Sequence, residues 1–309
     1  MEYDCKKRGR LNVSPFYLQN KRFMTAAATL CIFNPEHDLC LANGDTNYVP
    51  PQSAVDFALR SASVMQVLYP GACCCSVYDP MLGPAVLQGV AAIEAWGWNA
   101  VLRRELLKRG APECLMPTDA ELQTIRELQH RSTVLPLQGD CYALHRVDEM
   151  DALLRDRKDW VLKSPWSGAG RGLRWVHGRM SDLDRSWFEK TVASQCCVIA
   201  EPRRAVAADV ALEYCDGRFV GYSYFRTGNG VYRENVMWRD EVIAGHFGCT
   251  DLQDVKDRVE RWLAVNVWPR YGGPLGVDLI VGSDNRVYVS EINFRHTMGM
   301  VAHSKILQQ

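Results

Sequence analysis

The alternation of apolar and polar residues is sharpest near the end of the chain. Gly276-Val277-Asp278-Leu279-Ile280-Val281 and Val287-Tyr288-Val289-Ser290-Glu291-Ile292-Asn293-Phe294-Arg295 are rich in β-branched residues, and Gly282-Ser283-Asp284-Asn285-Arg286 between them is turn chemistry. The pattern predicts an antiparallel hairpin. Folded about Asp284-Asn285, strand partners have numbers with a constant sum, which sets Asp278 opposite Glu291 and Gly276 opposite Asn293. Both acids, Asn293 and Arg295 then share one face. Opposed carboxylates repel, so this face calls for a cation. Oxygen ligands on a rigid hairpin suit Mg²⁺, which commonly bridges to phosphates. The competing reading is a solvated hairpin with scattered charges.

Upstream, Leu30 to Phe33 reads as a first buried strand, followed by a polar loop from Asn34 to Pro51 that carries Glu36, His37 and Asp38. Loops at the carboxyl ends of strands form the crevice of an open α/β sheet, which makes this loop a candidate substrate holder. Asn34-Pro35 and Asn43-Gly44 also suit plain turns, with Asp38 capping a helix and His37 structural. Ser53 to Val67 has helical spacing, Ala72 to Tyr78 reads as a strand, and Gln88 to Ala95 as part of a helix. Asn99 to Lys108 and Asp119 to about Gln129 are helices, the first stopped by Gly110. Residues 25–117 thus form one α/β unit, and 1–24, basic and unpatterned, read as a disordered leader.

Asp159 to Lys163 is predicted as a strand, Ser164-Pro165-Trp166-Ser167-Gly168-Ala169-Gly170-Arg171-Gly172 as a glycine-rich loop, and Leu173 to Val176 as a second strand. A Walker phosphate loop opens a helix, and here a strand follows, so that motif is excluded. A glycine-rich turn between antiparallel strands can still lie over a triphosphate, with Lys163 at its edge. Ser181 to Ser194 reads as a capped helix and Cys196 to Ala200 as a buried strand ending at Glu201-Pro202. Val210 to Cys215 and Arg218 to Tyr224 alternate around Asp216-Gly217, another hairpin. Arg226, Tyr232, Arg233 and Asn235 follow it toward the same cleft, and Thr250-Asp251 caps a last amphipathic helix.

Composition narrows the partners. The 309 residues carry 36 Lys plus Arg against 36 Asp plus Glu, so no global field favours nucleic acid or an anionic membrane. The 12 cysteines fall in runs such as Cys73-Cys74-Cys75 rather than in zinc-site spacings, and fit a reduced cytoplasmic protein. No stretch is long and apolar enough to span a bilayer.

The order of these features resembles the ATP-grasp superfamily over roughly 131–299, and the Glu-x-Asn-x-Arg ending is similar to its carboxylase and carbamoyl-phosphate branches. The resemblance implies an α/β (α+β) fold. An N-terminal open α/β domain precedes a two-part ATP-grasp domain, split into 118–205, a lid subdomain with the glycine-rich loop, and 206–309, a C-terminal subdomain with the metal site. Nucleotide is held between two antiparallel sheets. Lys163 and the loop residues Ser167, Gly168, Gly170 and Gly172 would hold phosphates. Ala200 and Glu201 would line the adenine pocket, and Asp209 would reach ribose. Asp278, Glu291 and Asn293 would ligate Mg²⁺, with Mn²⁺ as the alternative ion, and Arg295 would sit beside the transferred phosphoryl group. The implied activity joins a small-molecule carboxylate to an amine or thiol at the expense of ATP. A small-molecule phosphotransferase and a non-catalytic ATP-binding module are the alternatives. An additional Lys that the family often carries ahead of the first hairpin has no counterpart except Arg131 or Arg146, and oligomeric state is left open.

Overall fold

The computed structural model describes residues 29–167, 172–228, 231–237 and 251–307. The expected leader, Gly168 to Arg171, Thr250, and the side chains of Arg226, Tyr232, Arg233 and Asn235 lie outside what it describes. The chain runs β1 (Thr29–Ile32), α1 (His37–Asn43), α2 (Gln52–Ser61), α3 (Met65–Leu68), β2 (Cys73–Cys75), α4 (Pro84–Leu87), β3 (Ala92–Ala95), α5 (Ala100–Lys108) and α6 (Asp119–Leu128). It continues with β4 (Tyr142–Leu144), α7 (Val147–Asp156), β5 (Asp159–Lys163), β6 (Leu173–His177), α8 (Asp182–Gln195) and β7 (Val198–Pro202). The last part holds β8 (Val206–Cys215), β9 (Arg218–Gly228), β10 (Val231–Met237), α9 (Leu252–Asn266), β11 (Leu275–Gly282), β12 (Val287–Asn293) and α10 (Met298–Leu307).

The described residues form three sheets. The first is parallel, in the order β2-β1-β3. Its side chains alternate between two cores: Leu30, Ile32, Ile93 and Ala95 pack with α4 and α5, while Cys31 and Phe33 pack with Met65 and Tyr69 on the other face. Two local expectations fail here. Gln88 to Ala95 is not helical: only Pro84–Leu87 is, and β3 takes 92–95. Ala-Ile-Glu-Ala is made largely of helix formers, and pairing with β1 along its whole length overrides that local preference. The supposed loop after β1 contains α1, whose His37, Cys40 and Leu41 are buried and which Gly44 ends at φ 76°. Asp38 lies in its first turn and does not cap it.

The second sheet, β4-β7-β5-β6, is antiparallel throughout. Trp160, Leu162, Val176, Val198 and Ala200 face α7 and α8 in its core. By alternation, Val161, Lys163 and Glu201 face the other way, toward the cleft. The third sheet, β10-β9-β8-β11-β12, is also antiparallel. Val210, Leu212, Tyr214, Val277 and Leu279 pack on α9, on α6 and on the 3₁₀ turn at Arg131–Leu137. Residues 119–137 therefore belong by packing to the third sheet, and the lid's own core begins at β4. Caps fix several helix starts where the sequence places them: Asn99 accepts from Leu102 N at 3.0 Å, and Thr118 and Ser181 form capping boxes. Asp251 does not cap α9 with its side chain, which instead accepts from Val287 N at 3.2 Å.

Candidate active site

The closing hairpin forms in the expected register where it matters, with Asp278 opposite Glu291 and Gly276 opposite Asn293. Nearer the turn the register differs by one, because Leu279 pairs with Val289 and leaves Ser290 unpaired as a β-bulge. The bulge changes which residues face the core. Val287 and Val289 pack inward on one side of it and Ile292 and Phe294 on the other, so Glu291 and Asn293 turn to the cleft face. On that face Asn293 Nδ2 donates to Asp278 Oδ2 at 2.9 Å, and Asn293 Oδ1 accepts from Arg295 Nη2 at 3.1 Å. Burial and the neighbouring Glu291 charge push the Asp278 carboxyl well above the usual range. Glu291 is also penalised by burial, yet Arg131 and Lys163 pull it below its ordinary value. Two opposed carboxylates and an amide oxygen on rigid strands fit a hard divalent cation, which would relieve the Asp278–Glu291 repulsion. Among the described residues no three His, Cys, Asp or Glu side chains meet as a metal cluster, so the candidate set is two acids and an amide.

The second sheet supplies one cation, Lys163. Lys163 is 8 % exposed, lies 2.6 Å from Glu201 Oε2 and donates to Ser290 Oγ at 3.1 Å, so it spans from β5 to the β11–β12 hairpin. Glu201 Oε1 is buried without a partner. Ala200 points into the lid core, which leaves only its backbone for a ligand. The loop closes at its base through Ser164 N to Gly172 O at 2.9 Å. Gly172 has φ 70°, and a Cβ there would meet Ser164 Oγ at 2.8 Å.

Arg131 joins the two halves. Its Nη1 donates to Ser164 O and to Ser167 Oγ, both at 2.6 Å, and its Nη2 donates to Ser167 O at 3.0 Å and to Glu291 Oε2. Arg146 is exposed beside Asp148 and Glu149, away from the site. Arg295 forms a two-point pair with Asp38 of α1, at 3.2 and 3.1 Å, which brings the N-terminal unit to the same cleft. His37 is fully buried; burial lowers its pKa to about 4, and Asn99 Nδ2 lies 3.3 Å from its Nδ1. It serves packing. Asp209 sits on β8 opposite Ile280, on the same face as Asp278 and two residues further along the sheet. Glu213, which sequence reasoning passed over, follows on that face, fully buried and bonded by Thr297 at 2.7 Å and Ser223 at 2.8 Å. Its signal was the alternation Asp209, Ala211, Glu213 in an otherwise apolar strand.

Sequence comparison finds no matching family model and no matching curated protein. The fold does match solved structures. N5-Carboxyaminoimidazole synthetase from Staphylococcus aureus, complexed with ADP, aligns with a TM-score of 0.53 and 14 % identity over 89 % of this chain and 72 % of that one. The D-cycloserine synthetase DcsG aligns with a TM-score of 0.55 and 12 % identity, over 91 % of this chain and 99 % of the other. D-alanyl-alanine synthetase A from Vibrio cholerae gives 0.54 and 11 %, over 92 % and 94 %. With the second and third sheets facing each other beside a parallel α/β unit, the chain shares its fold with these three synthetases.

Proposed function

We propose that this protein is an ATP- and Mg²⁺-dependent ligase that activates a small-molecule carboxylate for attack by an amine or thiol. The observation that carries the reading is the convergence of Lys163 and Arg131 with Asp278, Glu291 and Asn293 across one cleft between two antiparallel sheets. The synthetase names of its structural neighbours support the same class of reaction.

Asp278, Glu291 and Asn293 would hold the metal. Lys163, Arg131 and the Ser167 to Gly172 loop would hold the phosphates. ATP with Mg²⁺ supplies the phosphoryl group that makes a carboxylate oxygen a leaving group. The chain's residues do the positioning. Lys163 and Arg295 would neutralise the charge that develops on the phosphoryl oxygens, and the loop would exclude water that otherwise hydrolyses the acyl phosphate. The attacking amine then displaces phosphate from the acyl carbon. The Asp38–Arg295 pair puts the carboxylate acceptor at the mouth of β1, where an open α/β sheet forms its crevice. Among the described residues the cysteines are thiols and not disulfides, which suits a reducing, cytoplasmic site of action; no helix among them is long and apolar enough to cross a membrane.

Thermal unfolding with Mg²⁺ and a non-hydrolysable ATP analogue tests the nucleotide site. Wild type gains about 2.7 kcal/mol at a hundredfold excess over Kd, and Glu291→Gln loses the magnesium-dependent part. No shift at millimolar nucleotide would remove the reading. In a metabolite screen, a product trapped by hydroxylamine as a hydroxamate marks an acyl phosphate, whereas a phosphorylated acceptor that survives hydroxylamine marks a phosphotransferase.

A further inference from the structure

The Arg131 guanidinium is held from two sides. It is 8 % exposed and carries three hydrogen bonds to the start of the glycine-rich loop, at Ser164 O, Ser167 Oγ and Ser167 O. Its remaining bond goes to Glu291 Oε2, on the carboxylate proposed to hold the metal. Its Nε is buried with no hydrogen-bond partner. A buried donor without a partner is costly, and a cation already seated on a metal-ligand carboxylate is a competitor for that carboxylate. The first feature is a cost and the second keeps Glu291 charged but occupied; together they suit a side chain that changes partners.

We propose that Arg131 is a positioning residue that makes metal binding conditional on nucleotide. This rests on the function proposed above and deepens it. With no nucleotide bound, the guanidinium neutralises Glu291 and keeps a divalent cation off it by occupation and by repulsion. An incoming phosphate is a better partner for the guanidinium, because it offers several anionic oxygens and the unpaired Nε adds a donor. Once Arg131 turns to the phosphate, Glu291 is released to the metal. Because the same guanidinium holds Ser164 and Ser167, the exchange is felt at those two residues as well as at nucleotide and metal. Linkage requires the effect to be mutual: metal strengthens nucleotide binding by the factor by which nucleotide strengthens metal binding.

The test is Mn²⁺ binding, read by electron paramagnetic resonance, on the nucleotide-free full chain. Arg131→Met is expected to bind Mn²⁺ at least about tenfold more tightly than wild type, equivalent to about 1.4 kcal/mol. The gain is expected to vanish in Arg131→Met/Glu291→Gln. A side chain that only holds the loop in place would not raise metal affinity when removed, so a gain separates the two roles. If Arg131→Met does not fold, Arg131→Lys decides: one ammonium cannot fork between the loop carbonyls and Glu291, and a gain of about threefold or more is expected. Equal or weaker Mn²⁺ binding by the folded variant, while wild type still binds Mn²⁺ with the ATP analogue, overturns the coupling and leaves the proposed function standing. Failure of wild type to bind Mn²⁺ with the analogue overturns both.

Discussion

Glu213 shows what a single buried acid does to this molecule. Its exposure is nil, its carboxyl accepts from Thr297 and Ser223, and burial raises its pKa from 4.5 to about 7. Between those values the folded state keeps a proton that the unfolded chain has lost, so this residue's effect is to lower stability as pH rises from about 4.5 to 7. Glu213→Gln removes the ionisation. The variant is expected to show a flatter denaturant midpoint from pH 5 to 8 and to gain about 2–3 kcal/mol on wild type at pH 8 relative to pH 5. A parallel pH dependence in the two proteins would show that Glu213 ionises in place at little cost. His37 and His296 act with the opposite sign: burial lowers both to about 4, so their contribution is lost as pH falls from 6.5 toward 4. The polar partners of Arg295 were half legible at this scale. Asn293 and Arg295 stood out on one strand face, but Asp38 reaches Arg295 across 257 residues, and no local pattern encodes that distance.

The elements tell where local pattern suffices. The second sheet's hairpin was readable almost to the residue, because β5 and β6 are short runs rich in Trp, Val and Leu on either side of a glycine-rich segment. The closing hairpin was readable at the acids for a subtler reason. Val287 and Val289 have the same odd parity as Glu291 and Asn293, so a regular strand could not bury the first pair and offer the second to a cleft. The bulge at Ser290 resolves that conflict, and Lys163 bonds the bulged residue itself. β3 was not readable, since four residues of weak strand character become a strand only beside β1. Helix α10 makes the tightest approach to the site: a Cβ on Gly299 would lie 1.9 Å from Glu213 Oε1 and 2.4 Å from Ser223 Oγ. Gly299→Ala must displace a fully buried carboxyl or push the helix off the sheet. A loss of about 1–3 kcal/mol is expected in urea unfolding, and an unchanged midpoint would mean that α10 moves freely over β8 and β9.

At the scale of the whole molecule, three ion pairs line the cleft: Arg131 to Glu291 on the third-sheet side, with Arg131 also bonded to Ser164 and Ser167, Lys163 to Glu201 within the second sheet, and Arg295 to Asp38 between the third sheet and α1. Each places a cation that the proposed reaction uses against a carboxylate of the protein itself, so the cleft is neutralised from within before any anion enters. Nucleotide alone would exchange the first two pairs; Arg295, which would meet the phosphoryl group only as it passes to the acceptor, keeps Asp38 until the carboxylate enters the β1 crevice. Hydrogen exchange can separate these stages. Mg²⁺ with the ATP analogue is expected to slow exchange in residues 159–177 and 275–293 together, since one ligand bridges two sheets, while residues 34–51 keep their own rate. Addition of the true carboxylate substrate should then slow 34–51. Protection of one sheet without the other would show that nucleotide binds on a single face, and the cleft between the two sheets would not be the site. Protection of 34–51 by nucleotide alone would show that the Asp38–Arg295 pair belongs to the nucleotide site and not to the acceptor's.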